Sequence, residues 1–506
     1  MLMKLTAYSH HVAVTNYTQQ GAQKLLEFCR PLAQYGPVRV GRGTFIRAMV
    51  RVYAAATKDR SEFRFHIHLL DELMEHLDRV GYKDQFTVVY KQPSPGVPVK
   101  FKMGDAWESR EHQVPIIDFL VDDGATKAVT LQTGKGKTYC ATRAIEHLGV
   151  RTVIVIKSMY IDKWRDDVEK MLGLKPGQVM IVRGTKHLRA LIDLGKADEL
   201  DAQCIIVSNT TFRMFLEDYE RHDGGSGLYG CKPYEFYETI GAGLRIIDEV
   251  HQDFHLNFKQ DLYTHVPKTI SLSATLENDD PFIERMYGVM FPDHTRYGGA
   301  VYDAYVAVTA LMYSSPNVGK LRFKNKALKS YSHVLFENSL MKHKDMLQRY
   351  LDMIAEVVQA AYVQRREEGQ RFLVFASTKQ MCGIIAEDLQ RRWPELNINR
   401  YISEDDYEVL LSSDISVSTV KSAGTAVDIP GLRGTFLTDA LNSRQANEQA
   451  KGRLRKLDDR WPDLRVEFYY LVCEDIPKHI EYHQKKMEKF KGKVYSHRVQ
   501  RLNHSI

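Results

Sequence analysis

Short β-prone runs alternate with longer amphipathic stretches from about residue 126 onward. Runs at 127–130, Thr152–Ile156, Val179–Val182, 204–207, Leu244–Ile247 and 269–272 are rich in Val and Ile. Near-continuous apolar runs suit strands buried on both faces, and strands alternating with helices build a parallel sheet. The pattern recurs at 371–375, 415–418, 435–437 and 467–472. The fold class is therefore α/β, with two parallel-sheet halves and a cleft between them.

The first hundred residues follow a different rhythm. Segments 44–53 and 62–68 alternate apolar and polar residues, and Lys58-Asp-Arg-Ser61 between them is a turn, so the pair predicts a hairpin. Helical spacing covers 21–34 and 70–80, and the Pro-rich stretch 92–98 reads as a linker. The expected division is a small accessory α+β domain at 1–105, a first parallel-sheet domain at 106–296 and a second at 297–506. Even spacing places Arg47 with Arg51, and Arg64 with His66, on one strand face. Such a face either lies on a phosphate backbone or is a plain solvated surface.

Composition narrows the class. The chain has 506 residues, 44% of them hydrophobic, and a length suited to about three domains. No apolar run approaches the roughly 18 residues of a membrane span, and the N-terminus does not read as a signal peptide. The six cysteines are scattered, as for reduced thiols in a cytoplasm-like compartment. A cytoplasmic protein without a membrane or a stable protein partner is expected. The net charge of +6 is uneven. Residues 1–105 hold 15 Lys and Arg against 9 Asp and Glu, and residues 478–501 hold 8 against 2. Two basic ends around an acidic middle point to a polyanion.

The chemistry concentrates in two runs. Leu131-Gln132-Thr133-Gly134-Lys135-Gly136-Lys137-Thr138 follows a strand and opens a helix. In that setting backbone N–H groups cradle phosphates, Lys137 reaches the β- and γ-phosphates, and the Thr138 hydroxyl holds Mg²⁺. Asp248-Glu249-Val250-His251 ends the run 244–247 and puts two carboxylates at a strand end, one for the metal and one for a water. The two runs predict an ATP hydrolase using Mg²⁺.

The order of further motifs resembles that of the superfamily 2 helicases and translocases over about residues 107–475. Arg110-Glu-His-Gln113 resembles the adenine-reading motif, which would make Arg110 and Gln113 nucleotide contacts. Motif I is the loop 131–138, and motif Ia resembles 153–158 followed by Lys163-Trp164, with Lys157-Ser158 where Pro-Thr is usual. Residues 207–211, including Asn209 and Thr210, resemble a backbone-touching motif. Asp248 to His251 resembles motif II, Ser273-Ala274-Thr275 motif III, 375–378 motif IV, 424–430 motif V, and Gln449 to Arg453 motif VI.

The resemblance implies two RecA-like domains and a role for each residue. Asp248 would hold Mg²⁺, in part through water, and Glu249 would polarise the attacking water. His251, Ser273, Ala274 and Thr275 would couple the nucleotide to the nucleic acid. Gln449 and Arg453 would act from the second half, with Arg455 or Lys456 as a second finger, and Asp428 would complete the nucleotide site. Lys157, Ser158, Asn209, Thr210, Ser377, Thr378 and Thr419 would touch DNA, joined by Arg47, Arg51 and Arg64. Three departures stand out: Leu131 replaces the usual Gly, Ala426 stands where Gly is frequent, and Lys456 replaces an Arg whose bidentate fork it cannot reproduce. Within the superfamily the motifs resemble the DNA-directed group, and the compact basic-headed chain resembles the phage UvsW-type branch-migration helicases. That implies ATP-driven remodelling of forks, Holliday junctions and R- or D-loops. A strand-tracking DNA or RNA helicase without junction preference, and a non-catalytic junction-binding protein, remain as alternatives.

Overall fold

A computed structural model describes residues 2–41, 45–132, 134–222, 225, 227–298, 303–325, 330–402, 405–423, 429–457 and 460–506. Internal contacts divide the chain into two compact units, Met1–Ala300 and Val301–Ile506.

The first unit holds two main sheets. A five-stranded mixed sheet runs in the order Ala55–Ala56, Phe63–His66, His11–Thr15, Met3–Ala7, Phe86–Tyr90. Alternation along Phe63–His66 explains how both its faces are covered. Phe65 packs edge-on to Phe28 of helix Gln19–Cys29, with ring centroids 5.1 Å apart. Arg64 and His66 point the other way, onto the following parallel sheet's helices and loops. His66 meets Asp261 at 3.3 Å, and Asp261 also pairs with the fully buried Arg245. Burial would push the Asp261 carboxyl up, but Arg245 and His66 hold it well below its ordinary value.

Two expectations are corrected here. Strand Phe45–Val52 does not pair with 62–68. It forms a separate antiparallel ribbon with Ala33–Arg39, and only Ala55–Ala56 pairs with Phe63–Arg64 across the 58–61 turn. Arg64 is not on an exposed basic face: it is 3% exposed, 2.8 Å from His11, and stacked over Tyr234 and Tyr263. The 92–98 segment is docked, not loose. Val97 N donates to Gly241 O at 2.8 Å and Arg151 N donates to Val97 O at 2.9 Å. Gly96 has φ +84°, and a Cβ there would overlap the Gly243 backbone.

The second sheet of this unit is six-stranded and wholly parallel, in the order Val179–Val182, Cys204–Ser208, Thr152–Ile156, Leu244–Ile247, Lys268–Ser273, Thr126–Thr130. The other unit carries a seven-stranded parallel sheet. Its order is Ile398–Tyr401, Ile415–Thr419, Arg371–Ala376, Leu432–Leu437, Glu467–Cys473, Ala307–Ser314, Ser496–Ser505. The chain thus contains two RecA-like α/β sheets preceded by an α+β sheet. Among the described residues no helix is long and apolar enough to cross a membrane.

Burial of histidine makes the first unit acid-sensitive. His10 and His11 are fully buried, which holds both well below the usual imidazole range, and burial lowers His68 to about 4. Below about pH 6.5 the unfolded chain takes up protons that these folded histidines refuse, so stability falls by up to about 1.4 kcal/mol per pH unit for each. Urea midpoints should therefore drop between about pH 7 and pH 5. An unchanged midpoint over that range would contradict the assignment.

Candidate active site

In a parallel sheet the loops after the strands gather at one edge, where ligands of open α/β sheets bind. The strand Thr126–Thr130 delivers its loop to helix Lys137–Leu148, whose N-terminal N–H groups face the loop. Gly134 and Gly136 have φ of +87° and +84°, a region glycine enters without strain. At Gly136 a Cβ would also overlap Gln113 Nε2. Gln113 is 4% exposed and braces the loop. Its Nε2 donates to Lys135 O at 3.3 Å, and its Oε1 accepts from Arg110 N at 2.9 Å. The Arg110 side chain lies exposed beside it. Thr133 lies outside the described residues.

The carboxylates stand at the end of Leu244–Ile247. Lys137 Nζ donates to Glu249 Oε1 at 2.7 Å, so the phosphate-loop lysine and the second acid of the box are ion-paired. Glu249 has φ +51°, unusual for a residue with a side chain. Its backbone N–H donates to Asp248 Oδ1 at 2.8 Å, and Trp164 Nε1 donates to Asp248 Oδ2 at 2.9 Å. Burial, then the neighbouring Glu249, pushes the Asp248 carboxyl up against the opposing pull of Lys137. Two adjacent acids against one lysine form a site short of positive charge. With the Thr138 hydroxyl opening the same helix, the hard oxygen donors suit Mg²⁺.

His251 leads away from this centre. Its Nδ1 lies 2.8 Å from Ser273 Oγ and 3.3 Å from Glu249 Oε2. Burial lowers its pKa to about 4, so it is neutral at physiological pH. Ser273 Oγ bonds Thr275 at both its N–H and its C=O, and Leu131 N donates to Ser273 O at 3.0 Å. Hydrogen bonds thus join Lys137 to Glu249 and His251 to Ser273 and Thr275, the two sets meeting where His251 Nδ1 approaches Glu249 Oε2 at 3.3 Å, with Ala274 half-buried between Ser273 and Thr275.

Sequence reasoning left Trp164 without a role. Its indole bond to Asp248 is the missing element, and the signal available was its position just after the Lys157-Ser158 run. Phe254 and Tyr229 are core residues, 6% and 3% exposed.

The nucleic-acid contacts expected in the two parallel sheets fall at or just after strand ends. Ser158 and Thr210 are exposed, Asn209 is buried, and Lys157 pairs with Asp253 at 3.6 Å. In the other unit the backbone N–H groups of Ser377 and Thr378 both donate to the buried Glu337 at 2.8 Å. The Ser377 hydroxyl donates to Asp439, and Thr378 caps helix Lys379–Arg392. Burial pushes Glu337 up to about 7 and Asp439 up to about 6. Thr419 Oγ1 donates to Ser422 Oγ at 2.9 Å.

Arg453 follows helix Arg444–Lys451 and is 3% exposed. Arg455 donates to Gly452 O within its own turn, while Lys456 is exposed and pairs with Asp303 at 2.9 Å. Gln449 sits on that helix, but its side chain lies outside the described residues, as does Asp428 with the rest of 424–428.

No protein-family model and no curated protein matches this chain. Among solved structures, Saccharomyces cerevisiae Dbp5 bound to RNA and ADP BeF3 aligns at 12% identity and TM-score 0.49, over 78% of this chain and 90% of that one. A point variant of the same Dbp5, also bound to RNA and ADP BeF3, aligns at 11% identity and TM-score 0.47, over 76% and 88%. T4 UvsW aligns at 12% identity and TM-score 0.34, over 99% of both chains.

Proposed function

We propose that the protein is an ATP hydrolase that drives translocation on branched DNA and remodels forks, four-way junctions and displaced-strand loops. The observation that supports this is the run of contacts from Lys137 to Glu249, across the 3.3 Å approach of His251, to Ser273 and Thr275. Lys137 binds phosphate oxygens, Glu249 orients and polarises a water, and Trp164 fixes the Asp248 carboxylate for the metal. Mg²⁺, when bound by Thr138 and Asp248, neutralises charge on the phosphates. Arg453 is the residue assigned as the finger. The residues after each strand, Ser158 and Thr210 on one sheet and Ser377, Thr378 and Thr419 on the other, supply the strand-gripping edge.

ATP hydrolysis should be measured without nucleic acid and with single-stranded DNA, blunt duplex, fork, four-way junction and RNA, at fixed salt. Strongest stimulation by fork and junction is expected. Equal stimulation by any single strand, or preference for RNA, would replace this reading with a general strand-tracking helicase.

A further inference from the structure

The separate ribbon of Ala33–Arg39 and Phe45–Val52 is unlike the rest of the first unit. Residues 30–51 contain five arginines and no Asp, Glu or Lys. Arg39, Arg47 and Arg51 are exposed. So are large apolar side chains: Tyr35 at 52%, Val40 at 55%, Ile46 at 50%, Met49 at 56% and Val50 at 43%. The register pairs Pro37 with Arg47 and Tyr35 with Met49 on one face, and Val38 with Ile46 on the other. A lone two-stranded ribbon is marginal in water, and one with aliphatic residues on both faces leaves apolar area uncovered that a ligand would bury.

Its base, by contrast, is fixed. Tyr53 N donates to Leu32 O at 2.9 Å, and Gln34 Nε2 donates to Asp280 at 2.8 Å. Tyr53 follows the second ribbon strand directly and is 1% exposed. Its ring lies edge-on to His255 at 5.0 Å and to Phe258 at 4.9 Å. Both sit on helix Phe254–Asp261, which begins three residues after His251. The ribbon is therefore bolted to the helix that leaves the Asp248–His251 box.

We infer that this ribbon is an arm that grips double-stranded DNA and holds it fixed relative to the first ATP-binding sheet, a proposal that rests on the motor reading above. Charge selects the partner: arginines without acids match a phosphate backbone. The apolar side chains select duplex over single strand. Sequence-tolerant single-strand binding uses aromatic platforms, whereas the large exposed apolar side chains among the ribbon's described residues are one Tyr, three aliphatic residues and a Met. A two-stranded ribbon also matches the roughly 12 Å major groove in width.

The test is the affinity of the full chain for a blunt duplex and for a single strand across a salt series. It is run on wild type, on the triple substitution Arg39→Ala, Arg47→Ala and Arg51→Ala, and on the pair Ile46→Ser and Met49→Ser. For the arginine triple, a loss of duplex affinity of at least about tenfold is expected, with the log–log salt slope shallower by about 2–3. The apolar pair should weaken duplex binding while leaving that slope unchanged. Single-strand affinity should change less than about twofold in both. Unchanged duplex binding, or equal losses on duplex and single strand, overturns the arm. Wild-type ATP hydrolysis is recorded in the same series. If it is absent the motor reading falls, and if it is present while the variants grip duplex normally, the arm alone falls.

Discussion

Glu249→Gln should cut ATP turnover by about 10²–10⁴-fold, the range associated with losing a general base, while ATP binding survives. The geometry adds a sharper expectation. Glu249 holds Lys137 at 2.7 Å, so ATP must draw that lysine away before the phosphates can use it. The amide of the substituted side chain would bond Lys137 without a full charge, and ATP affinity should therefore rise, not fall. Single-turnover hydrolysis and equilibrium binding of a fluorescent nucleotide read the two quantities separately. Turnover near the wild-type rate would remove Glu249 from the chemistry, and weakened binding would mean that the ion pair is not in competition with nucleotide.

Arg453→Ala should have the other large effect. A finger stabilising charge on the transferring phosphoryl group contributes roughly 10³–10⁵-fold in rate, and Arg453→Lys should recover little because an ammonium lacks the bidentate fork. Arg455→Ala and Lys456→Ala should cost far less: Arg455 is tied to Gly452 O in its own turn and Lys456 is exposed on Asp303. Pre-steady-state phosphate release on saturating fork DNA gives the comparison. If Arg455→Ala proves as damaging as Arg453→Ala, the finger assignment must shift by two residues.

The central strands were legible because parallel strands buried on both faces leave an unbroken apolar signature, as in Thr152–Ile156 and Cys204–Ser208. Ala307–Ser314 and Ser496–Ser505 were not. The second is the basic edge strand of its sheet, with polar residues at most positions, so its pairing with Ala307–Ser314 is a tertiary fact. Arg64 failed for a similar reason. Period-two spacing placed it correctly opposite Phe63 and Phe65, but only the fold reveals that Tyr234 and Tyr263, some 170 and 199 residues onward, cover that face. In the candidate site, Lys137 and the Asp248–His251 box, which the structure brings together, were readable from spacing and residue type. The indole of Trp164 was not, because a tryptophan near a helix start announces packing long before it announces a hydrogen bond to a carboxylate.

The Lys137–Glu249 pair has a consequence for the resting molecule. On the proposed chemistry each partner occupies the other's working atoms, so the site would idle with its spark disconnected: a stray water beside Glu249 would meet a carboxylate already committed to an ammonium. A nucleotide's phosphates would take the lysine, and in doing so would release the carboxylate that polarises the attacking water. The fuel would thereby arm its own combustion, and the lysine, falling back once the cleaved phosphate left, would disarm the chamber for the next charge.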